Sequence, residues 1–469
     1  MGSWEGARMR PRPLLTLLAL ALVLAAAGCG GDDDGRGADN PITFWSAEDS
    51  ADRIKATQAI VDRFQEETNI KVTLSPIPED QLATQIQAAN AAGTLPDVMG
   101  ALGLGLVHSL AADDIVDPDA AADVVDSLGP GTFSEQALSL VDVEGKPVGI
   151  PSDTWTQLLV YRKDLFDKAG LQPPDTFERI QAAATRLRQS GRAGIVAATK
   201  PGDVFTQQTF EYFALANGCQ LTDEQGNVQL TSPRCVETFQ FYADLIRNGS
   251  VSGGQDVDTT RDAYLAGKAA MLVWSSFILD ELAGLRKDSP PTCTECRVDR
   301  GFLAENSGFV TAISGLNAGQ PTQFGEVTSF AIVKDGNTDA AKRFVEFMMS
   351  DGYVDWLALA PEGKIPTRAG TKDDPRRYAE AWGKLQAGVD DLKPLSEIYP
   401  AEVLDALTRS TDTMSRWGFR QGQGKLVGAQ LAELPITKAL SEALGGRLDP
   451  DAAAKQAQAD VEEIARSVE

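Results

Sequence analysis

Histidine is almost missing from this chain of 469 residues, in which His108 is the single example. A Ser-His-Asp triad or a multi-histidine zinc site would have to be built around that one residue, so the sequence all but excludes these enzyme classes. His108 lies in Gly103–Leu110, an apolar stretch with glycines, which predicts a partly buried structural histidine. The Gly-x-x-x-x-Gly-Lys-Ser/Thr loop of nucleotide hydrolases is missing as well, and we expect neither a cofactor nor a metal.

Basic residues are too few to balance the acidic ones. The chain has 43 Lys and Arg against 67 Asp and Glu, a formal net charge of −24. This balance opposes nucleic-acid binding, which needs a basic face for the phosphates, and it opposes peripheral binding to anionic lipid. No low-complexity block follows Asn40. The roughly 430 residues after Asn40 suit two or three globular domains.

Long apolar runs are limited to Leu14–Ala27, which follows a segment with three arginines. A basic start before an apolar stretch too short to span a bilayer is typical of an export signal. Ala26-Ala27-Gly28-Cys29 resembles a bacterial lipobox, in which the cysteine becomes the lipidated N-terminus; the alternative is an ordinary signal peptide with a chance cysteine. We expect a signal peptide over residues 1–28 and a flexible tether over residues 29–40. The mature protein would then be lipid-anchored at the extracellular face of the cell membrane.

Cysteine is scarce, with Cys29, Cys219, Cys235, Cys293 and Cys296 as the only examples. If Cys29 carries the lipid, an even number remains in an oxidising compartment, which favours disulfides. Of the three possible pairings we favour the local one, Cys219–Cys235 with Cys293–Cys296. A four-cysteine zinc site is the alternative, because Cys293-Thr-Glu-Cys296 has the spacing of zinc ligands, and a redox-active Cys-x-x-Cys is another.

Strand and helix patterns alternate along the chain, beginning with a β-rich run at Ile42–Trp45 and an amphipathic helix over residues 53–68. This alternation predicts an α/β fold with a mostly parallel sheet covered by helices. The other predicted elements are strands at 70–74, 97–99 and 149–161, helices at 81–92, 163–169, 205–216, 340–349 and 451–468, a helix from about 177, one over 233–247, and a hairpin at 221–230.

Sequence motifs appear in a characteristic order. Tyr161-Arg-Lys-Asp-Leu-Phe-Asp-Lys-Ala-Gly-Leu171 is followed by Ala263-Tyr-Leu-Ala-Gly-Lys-Ala-Ala-Met271 and by Gly363-Lys-Ile-Pro-Thr-Arg368. These motifs resemble those of the extracellular solute-binding proteins of ABC importers, the group that contains maltose-binding and glycerol-phosphate-binding proteins. Arg162 stands where that family has Asn, and Phe177 where it has Trp. Further similar segments are Pro173–Phe177, Asn217-Gly218 with Ser232-Pro233, Phe330–Lys334 and Ala340–Phe347.

The resemblance implies a two-lobed, type II periplasmic-binding-protein-like fold, with the lobes joined by crossing hinge strands and a ligand held in the cleft between them. The first lobe would comprise residues 41–149 plus 322–366. The second lobe would comprise residues 150–321 plus 367–469.

Sugars present apolar ring faces and a belt of hydroxyls, so a sugar site needs flat aromatic surfaces and a few polar groups. The family uses the loop after the first strand for contacts, which here offers Ser46, Glu48 and Asp49. We expect Trp155 to provide a stacking surface and Glu326 to approach the ligand where the family usually has glycine. The remaining candidates are Asp80, Gln81, Trp274, Phe277, Gly325 and Trp417, whereas Trp45 and Trp356 are predicted to be core residues.

The family resemblance implies a monomeric binding protein without enzymatic activity. It would capture a sugar or small oligosaccharide and deliver it to the permease subunits of an ABC importer. A glycerol-phosphate or polyol binder of the same fold is one alternative, with Arg368 or Arg416 as the ligand donor. An exported glycoside hydrolase that uses two carboxylates is the alternative from a different class.

Overall fold

The structure is a computed structural model that describes residues 40–189, 191–316 and 320–468. The predicted signal peptide, Cys29 and nearly all of the predicted tether lie outside these residues. The strands are β1 Ile42–Ser46, β2 Val72–Pro76, β3 Val98–Gly103, β4 Asp142–Val143, β5 Lys146–Pro147, β6 Ile150–Arg162, β7 Met271–Ser275, β8 Ser307–Val310, β9 Gln323–Ile332, β10 Ile365–Pro366, β11 Gln386–Ala387, β12 Lys393–Pro394 and β13 Met414–Ser415.

Helices are the more frequent elements of the described chain. They are α1 Ala51–Thr68, α2 Glu79–Ala92, α3 Leu104–Ala112, α4 Pro118–Leu128, α5 Glu135–Leu140, α6 Lys163–Ala169, α7 Phe177–Leu187, α8 Val204–Ala216, α9 Pro233–Gly249, α10 Val257–Leu265, α11 Ile278–Leu282, α12 Phe302–Asn306, α13 Thr338–Met348, α14 Tyr353–Leu357, α15 Arg377–Trp382, α16 Leu395–Ile398, α17 Ala401–Thr413, α18 Gly424–Glu433, α19 Pro435–Leu444 and α20 Pro450–Val468.

The main sheet is mixed, with the strand order β10-β6-β9-β3-β1-β2; β7 and β8 also pair with β6, and β13 with β9. β1 pairs with β2 and β3 in parallel, as the alternation of strands and helices predicts. The expectation of a mostly parallel sheet is wrong beyond these strands, because β9 returns antiparallel to β3 and β6 runs antiparallel to β9. β9 pairs with two strands that lie far from it in the chain, and the local alternation pattern does not describe such pairings.

β6 is the longest strand and joins two parts of the sheet. Its first half, from Ile150 to Thr156, pairs with β9, and its second half, from Gln157, pairs with β7 and β8. Almost every residue of β6 is buried, so both of its faces are covered. The polar side chains near its centre must therefore find partners inside the protein.

The hydrophobic core divides into four clusters. Two are built mainly from residues 42–150 and 330–378, around Phe44, Phe344 and Trp356. The other two are built mainly from residues 158–310 and 382–464, around Phe210 and Trp382. Trp356 is fully buried, which confirms its prediction as a core residue, while Trp45 packs partly buried against one of the clusters.

The disulfide prediction is confirmed. Cys219 pairs with Cys235 and Cys293 pairs with Cys296, so none of these four thiols is left to bind zinc. Cys219–Cys235 links the segment after α8 to the first turn of α9 and encloses the predicted hairpin. That segment is a loop rather than a hairpin of strands, with one bridge between Thr222 and Val228.

Within the described residues, no helix is long and apolar enough to cross a membrane. His108 is buried as predicted, with Nε2 2.8 Å from the carbonyl oxygen of Leu140 and the ring centroid 4.8 Å from that of Phe419. Burial lowers the pKa of His108 despite its bond to Leu140. The imidazole is therefore a packed structural group of α3.

Candidate functional site

A cavity of about 690 Å3 lies where the ends of β1 and β3, the centres of β6 and β9 and the helices α2, α3 and α18 approach one another. Its size is in the usual range for small-molecule sites. Charged and aromatic side chains line it together with small residues and aliphatic ones. The charged and aromatic lining residues are Glu48, Arg53, Glu79, Asp113, Asp153, Trp155, Phe277, Glu326, Lys364 and Lys425.

The register of β6 and β9 places four side chains on the cavity wall. Trp155 is paired with Glu326, and Asp153 is paired with Thr328. Side chains alternate between the two faces of a strand, so Asp153 and Trp155 point to the same face, as do their partners on β9. Gly103, at the end of β3, pairs with Thr328 and extends this wall.

Two aromatic rings give the cavity flat apolar surfaces. Trp155 is partly buried, and Phe324 supports it at a ring-centroid distance of 5.8 Å. Phe277 follows β7 and packs on Gly363, where a Cβ atom would lie 1.9 Å from the ring. Any other residue at position 363 would therefore displace Phe277 from the cavity wall.

Lys364 connects two cavity carboxylates. Its Nζ lies 2.6 Å from Oε1 of Glu48 and 2.7 Å from Oδ1 of Asp153. Burial lowers the pKa of Lys364, but Asp153 and Glu48 together outweigh burial and raise it. The ammonium therefore stays charged, and its distance of 4.3 Å to the ring centroid of Trp356 adds a cation–π contact.

Glu48 has a second cation beside it. Arg53, on the first turn of α1, donates to Oε2 at 3.0 Å, and the backbone N–H of Glu48 donates to Oγ of Ser46 at 3.2 Å. Burial raises the pKa of Glu48, but Lys364 and Arg53 overcome this effect and lower it. Glu48 is thus a fixed, ionised acceptor at the end of β1.

Glu326 is held just as firmly. Its Oε1 accepts the backbone N–H of Leu104 at 2.8 Å, and its Oε2 accepts a hydrogen bond from Arg416. Arg416 is buried and also lies 3.0 Å from Glu211, while its guanidinium covers the ring of Phe324 behind the cavity wall. Burial lowers the pKa of Arg416, but the two carboxylates outweigh burial and raise it.

Four of the predicted site residues line this cavity: Glu48, Trp155, Phe277 and Glu326. Gly325 does not, because it faces Met414, and Ser46 is buried and reaches the site only through its hydrogen bond to Glu48. Asp49, Asp80 and Gln81 are exposed outside the cavity.

The structure places Trp274 and Trp417 outside this cavity, and of the two alternatives for the second stacking ring, Trp274 or Phe277, only Phe277 lines it. Both side chains are core residues, with exposed fractions of 5% and 1%. Each indole N–H already donates to a backbone carbonyl, that of Val257 for Trp274 and that of Cys219 for Trp417. Neither ring has a face left for a ligand.

Several cavity residues escaped the sequence prediction, although signals for two of them were present. Asp153 stands two residues before Trp155 in the same strand, and this spacing alone predicts a shared face. Lys364 lies inside the family-like segment Gly363–Arg368. Arg53 and Glu79 had no comparable signal, because charged residues in helix first turns are common on surfaces.

The family model for bacterial extracellular solute-binding proteins matches residues 47–355. The chain belongs to this family. This solute-binding protein is 28% identical over 334 residues to YcjN of Escherichia coli K12, a protein named provisionally as an ABC transporter periplasmic-binding protein; the match covers 69% of this chain and 72% of YcjN. It is 30% identical over 199 residues to the sn-glycerol-3-phosphate-binding periplasmic protein UgpB of Brucella abortus, covering 39% of this chain and 44% of UgpB.

Solved structures share the fold of this solute-binding protein. The GacH receptor of Streptomyces glaucescens superposes with a TM-score of 0.69 at 19% identity, covering 91% of this chain and 98% of GacH. MalE3 of T. maritima superposes with a TM-score of 0.68 at 20% identity, covering 91% of this chain and all of MalE3. The fold is therefore the two-lobed α/β fold of the maltose-binding-protein-like periplasmic binding proteins.

Proposed function

We propose that this protein binds a sugar or small oligosaccharide in the cavity described above and delivers it to the permease subunits of an ABC importer. The observation that carries this proposal is the combination of two ring surfaces, Trp155 and Phe277, with carboxylates that protein donors hold in fixed positions. Apolar sugar faces stack on rings, and sugar hydroxyls donate to charged acceptors. The ligands of structural relatives support the same class, since GacH was solved with acarbose and MalE3 with maltose.

The proposed lobes are residues 41–149 plus 322–366 and residues 150–321 plus 367–469. Cavity residues come from both, with Glu48 in the first and Trp155 in the second, and the long strands β6 and β9 would form the hinge. Ligand contacts to both lobes at once would favour closure, because only differential binding to the closed form can shift the equilibrium.

A glycerol-phosphate ligand is the alternative that UgpB suggests. The charges of the cavity argue against it, because Lys364 and Arg53 are already paired with carboxylates. Arg368, the other cation considered for this role, is buried away from the cavity with its guanidinium bonded to Thr132, Leu128 and Met349. No cation of the inner cavity remains free for a phosphate among the described residues.

We propose that the protein performs no hydrolysis. The cavity carboxylates Glu48, Asp153 and Glu326 each already accept a hydrogen bond from a cation of the protein, whereas a glycosidase needs one carboxyl group to protonate the leaving oxygen and a second that is free to act as base or nucleophile. Incubation with labelled maltotetraose should leave the substrate intact. Stoichiometric binding without product is the expected result, and turnover would overturn this assignment.

Isothermal titration calorimetry with glucose, maltose, trehalose and glycerol 3-phosphate tests the proposed ligand class. We expect one-to-one binding of at least one sugar and none of the phosphate. Asp153→Asn should weaken sugar binding. Asp164→Asn is the control, because Asp164 lies outside the cavity on α6, the helix that follows β6, and its replacement should leave the affinity for sugar unchanged. Binding of glycerol 3-phosphate alone would reverse the assignment in favour of the alternative.

We also propose that the protein is tethered through a lipid on Cys29 and acts as a monomer. Mass spectrometry of the native protein should find an acylated N-terminal cysteine. Cys29→Ala should release the protein from the membrane fraction, and its retention there would contradict the anchor.

A further inference from the structure

We propose that the preferred ligand of this cavity carries a basic nitrogen, an amino or imino group on a sugar, and that Glu79 is the residue that selects it. This inference rests on the proposed sugar-binding function and adds the charge of the ligand to it. The ligand site is the same cavity, with the same two aromatic rings. What is added is a role for Glu79, a carboxylate that forms no ion pair with a cation of the described residues.

Glu79 differs from three other carboxylates that line the cavity, because both oxygens of each of those three accept hydrogen bonds or ion pairs from protein groups. Glu48 has one oxygen on Lys364 and the other on Arg53. Asp153 has one oxygen on Lys364 and the other on the hydroxyls of Ser152 and Thr328. The oxygens of Glu326 are likewise divided between Leu104 and Arg416.

Glu79 has no such partner. It lies in the first turn of α2, lines the cavity and is exposed to it, and its carboxylate has no hydrogen bond or ion pair within the described part of the chain. Burial against the cavity wall and the nearby carboxylates of Glu326, Glu48 and Asp49 raise the pKa of Glu79. Arg53 lowers the pKa of Glu79, but by less, and Arg53 is itself bonded to Glu48, so Glu79 is held mainly among like charges and has no cation of its own.

The cations of the inner cavity cannot supply that charge. Lys364 and Arg53 are engaged by Glu48 and Asp153, and Arg416 lies behind the wall between Glu211 and Glu326. Lys425, at the rim, donates to the backbone oxygen of Val468. The cavity therefore has a negative balance, which attracts a cationic ligand group and repels a phosphate.

A protonated amine satisfies this arrangement better than a hydroxyl. It donates charge-assisted hydrogen bonds to Glu79, and its charge is attracted to the neighbouring carboxylates of Glu326 and Glu48 as well. A neutral hydroxyl in the same place can donate a hydrogen bond but removes none of the repulsion. The faces of Trp155 and Phe277 would also attract a cationic ring substituent.

Calorimetry with matched pairs tests the inference at about pH 6.5, below the pKa of an ordinary α-amino group. The pairs are glucose and glucosamine, galactose and galactosamine, and maltotetraose and acarbose, whose bridging nitrogen is a secondary amine. We expect the nitrogen-containing member of at least one pair to bind about tenfold more tightly or better, as for a hydrogen bond to a charged group. That preference should decrease with added salt.

Glu79→Gln and Asp80→Asn form the decisive comparison, since the two acidic residues are adjacent on α2 and only Glu79 lines the cavity. Glu79→Gln should reduce the ratio of the two affinities in a matched pair to near unity, through a loss of affinity for the nitrogen-containing member. Asp80→Asn should still bind the nitrogen-containing member of the pair more tightly than the neutral member. Circular dichroism of both variants should match that of the original protein.

Each outcome decides a different claim. Equal or tighter binding of the neutral members, or an unchanged preference in Glu79→Gln, overturns the inference and leaves the sugar-binding function intact. Binding of none of the six ligands overturns the proposed function together with the inference. Tight binding of glucose 6-phosphate, added as a seventh ligand, would contradict the negative charge balance.

Discussion

Lys364 lies between two carboxylates that are about a hundred residues apart in the chain, with Nζ 2.6 Å from Glu48 and 2.7 Å from Asp153. The three side chains are almost completely buried, so each depends on the others for its charge balance. Glu48 follows β1 and Asp153 lies in β6, and this one ammonium therefore holds two carboxylates of the cavity in position.

Replacing Lys364 with Met should lower the free energy of unfolding by about 3–5 kcal/mol, because two buried carboxylates lose their shared cation. Urea denaturation of the ligand-free protein measures this change. Lys455→Met is the control, since its pair with Asp451 is exposed and should contribute no more than about 1 kcal/mol. Equal urea midpoints for the two variants would contradict the structural role of Lys364.

The start of helix α2 explains why the sequence favoured Asp80 and Gln81 as cavity residues rather than Glu79. The pattern predicts a helix from Gln81, whereas α2 begins at Glu79. Successive helical residues are rotated by about 100° around the axis, so an error of one or two positions moves the predicted contact to another face. Asp80 and Gln81 consequently turn away, and Glu79 faces the cavity.

Buried strands explain why the sequence could not choose between Trp274 and Phe277 as the ring that lines the cavity. All five residues of β7 are buried, so no polar alternation tells which side chain faces a ligand and which faces the core. The position of Trp155 on the cavity wall was predictable because polar residues flank it at the centre of the crossing strand. The general fold followed from motif order, whereas the pairing of β6 with β9 depends on contacts far apart in sequence, which local patterns do not contain.

Trp155→Ala should weaken sugar binding by about 1–3 kcal/mol, the combined loss of stacking and apolar contact. The effect on the ligand-free protein should be smaller than for a core tryptophan, because the indole is only partly buried. Trp417→Ala is the matched control and should cost about 3–5 kcal/mol of stability, since that ring is fully buried. Calorimetry and urea denaturation of both variants separate the effects. If Trp155→Ala spares affinity, the ring does not contact the ligand.

Replacing Cys219 and Cys235 together with Ala should cost about 3 kcal/mol of stability, because their disulfide closes a loop with a sequence separation of 16. Cys293 and Cys296, with a separation of 3, enclose too little chain to have a comparable effect on the unfolded state. Thermal unfolding of the two double variants measures the difference. A larger loss for the Cys293–Cys296 variant would show that local strain or packing, rather than chain entropy, dominates.

Stability should decrease as the pH rises from about 4.5 towards 8, because of a buried acidic cluster behind Phe277. Burial raises the pKa of Glu281 and of Glu362 to about 8, and in each one carboxylate oxygen has no hydrogen-bond partner among the residues that the structure describes. Asp280, whose pKa burial raises to about 6, lies among the same groups.

The surrounding charges do not cancel this effect. Arg261 lies 3.4 Å from Glu281 and Arg286 lies 3.8 Å from Asp280, while Arg53 and Asp288 also act on the cluster. In the unfolded chain a glutamate releases its proton near its ordinary pKa of about 4.3, whereas in the folded protein it keeps that proton to higher pH. The folded state therefore binds more protons over this interval, and its stability is lost as the pH approaches the folded pKa.

The slope should be about 1.4 kcal/mol per pH unit for each retained proton. Glu362→Gln removes one of these protons, so its stability should fall less steeply with pH and should exceed that of the original protein at about pH 8. Urea denaturation between pH 5 and about pH 9 measures both slopes. Glu397→Gln, an exposed glutamate of α16, is the control and should leave the slope unchanged. Parallel pH profiles for Glu362→Gln and the original protein would mean that Glu362 is ionised in the folded state, against the pKa that its burial implies.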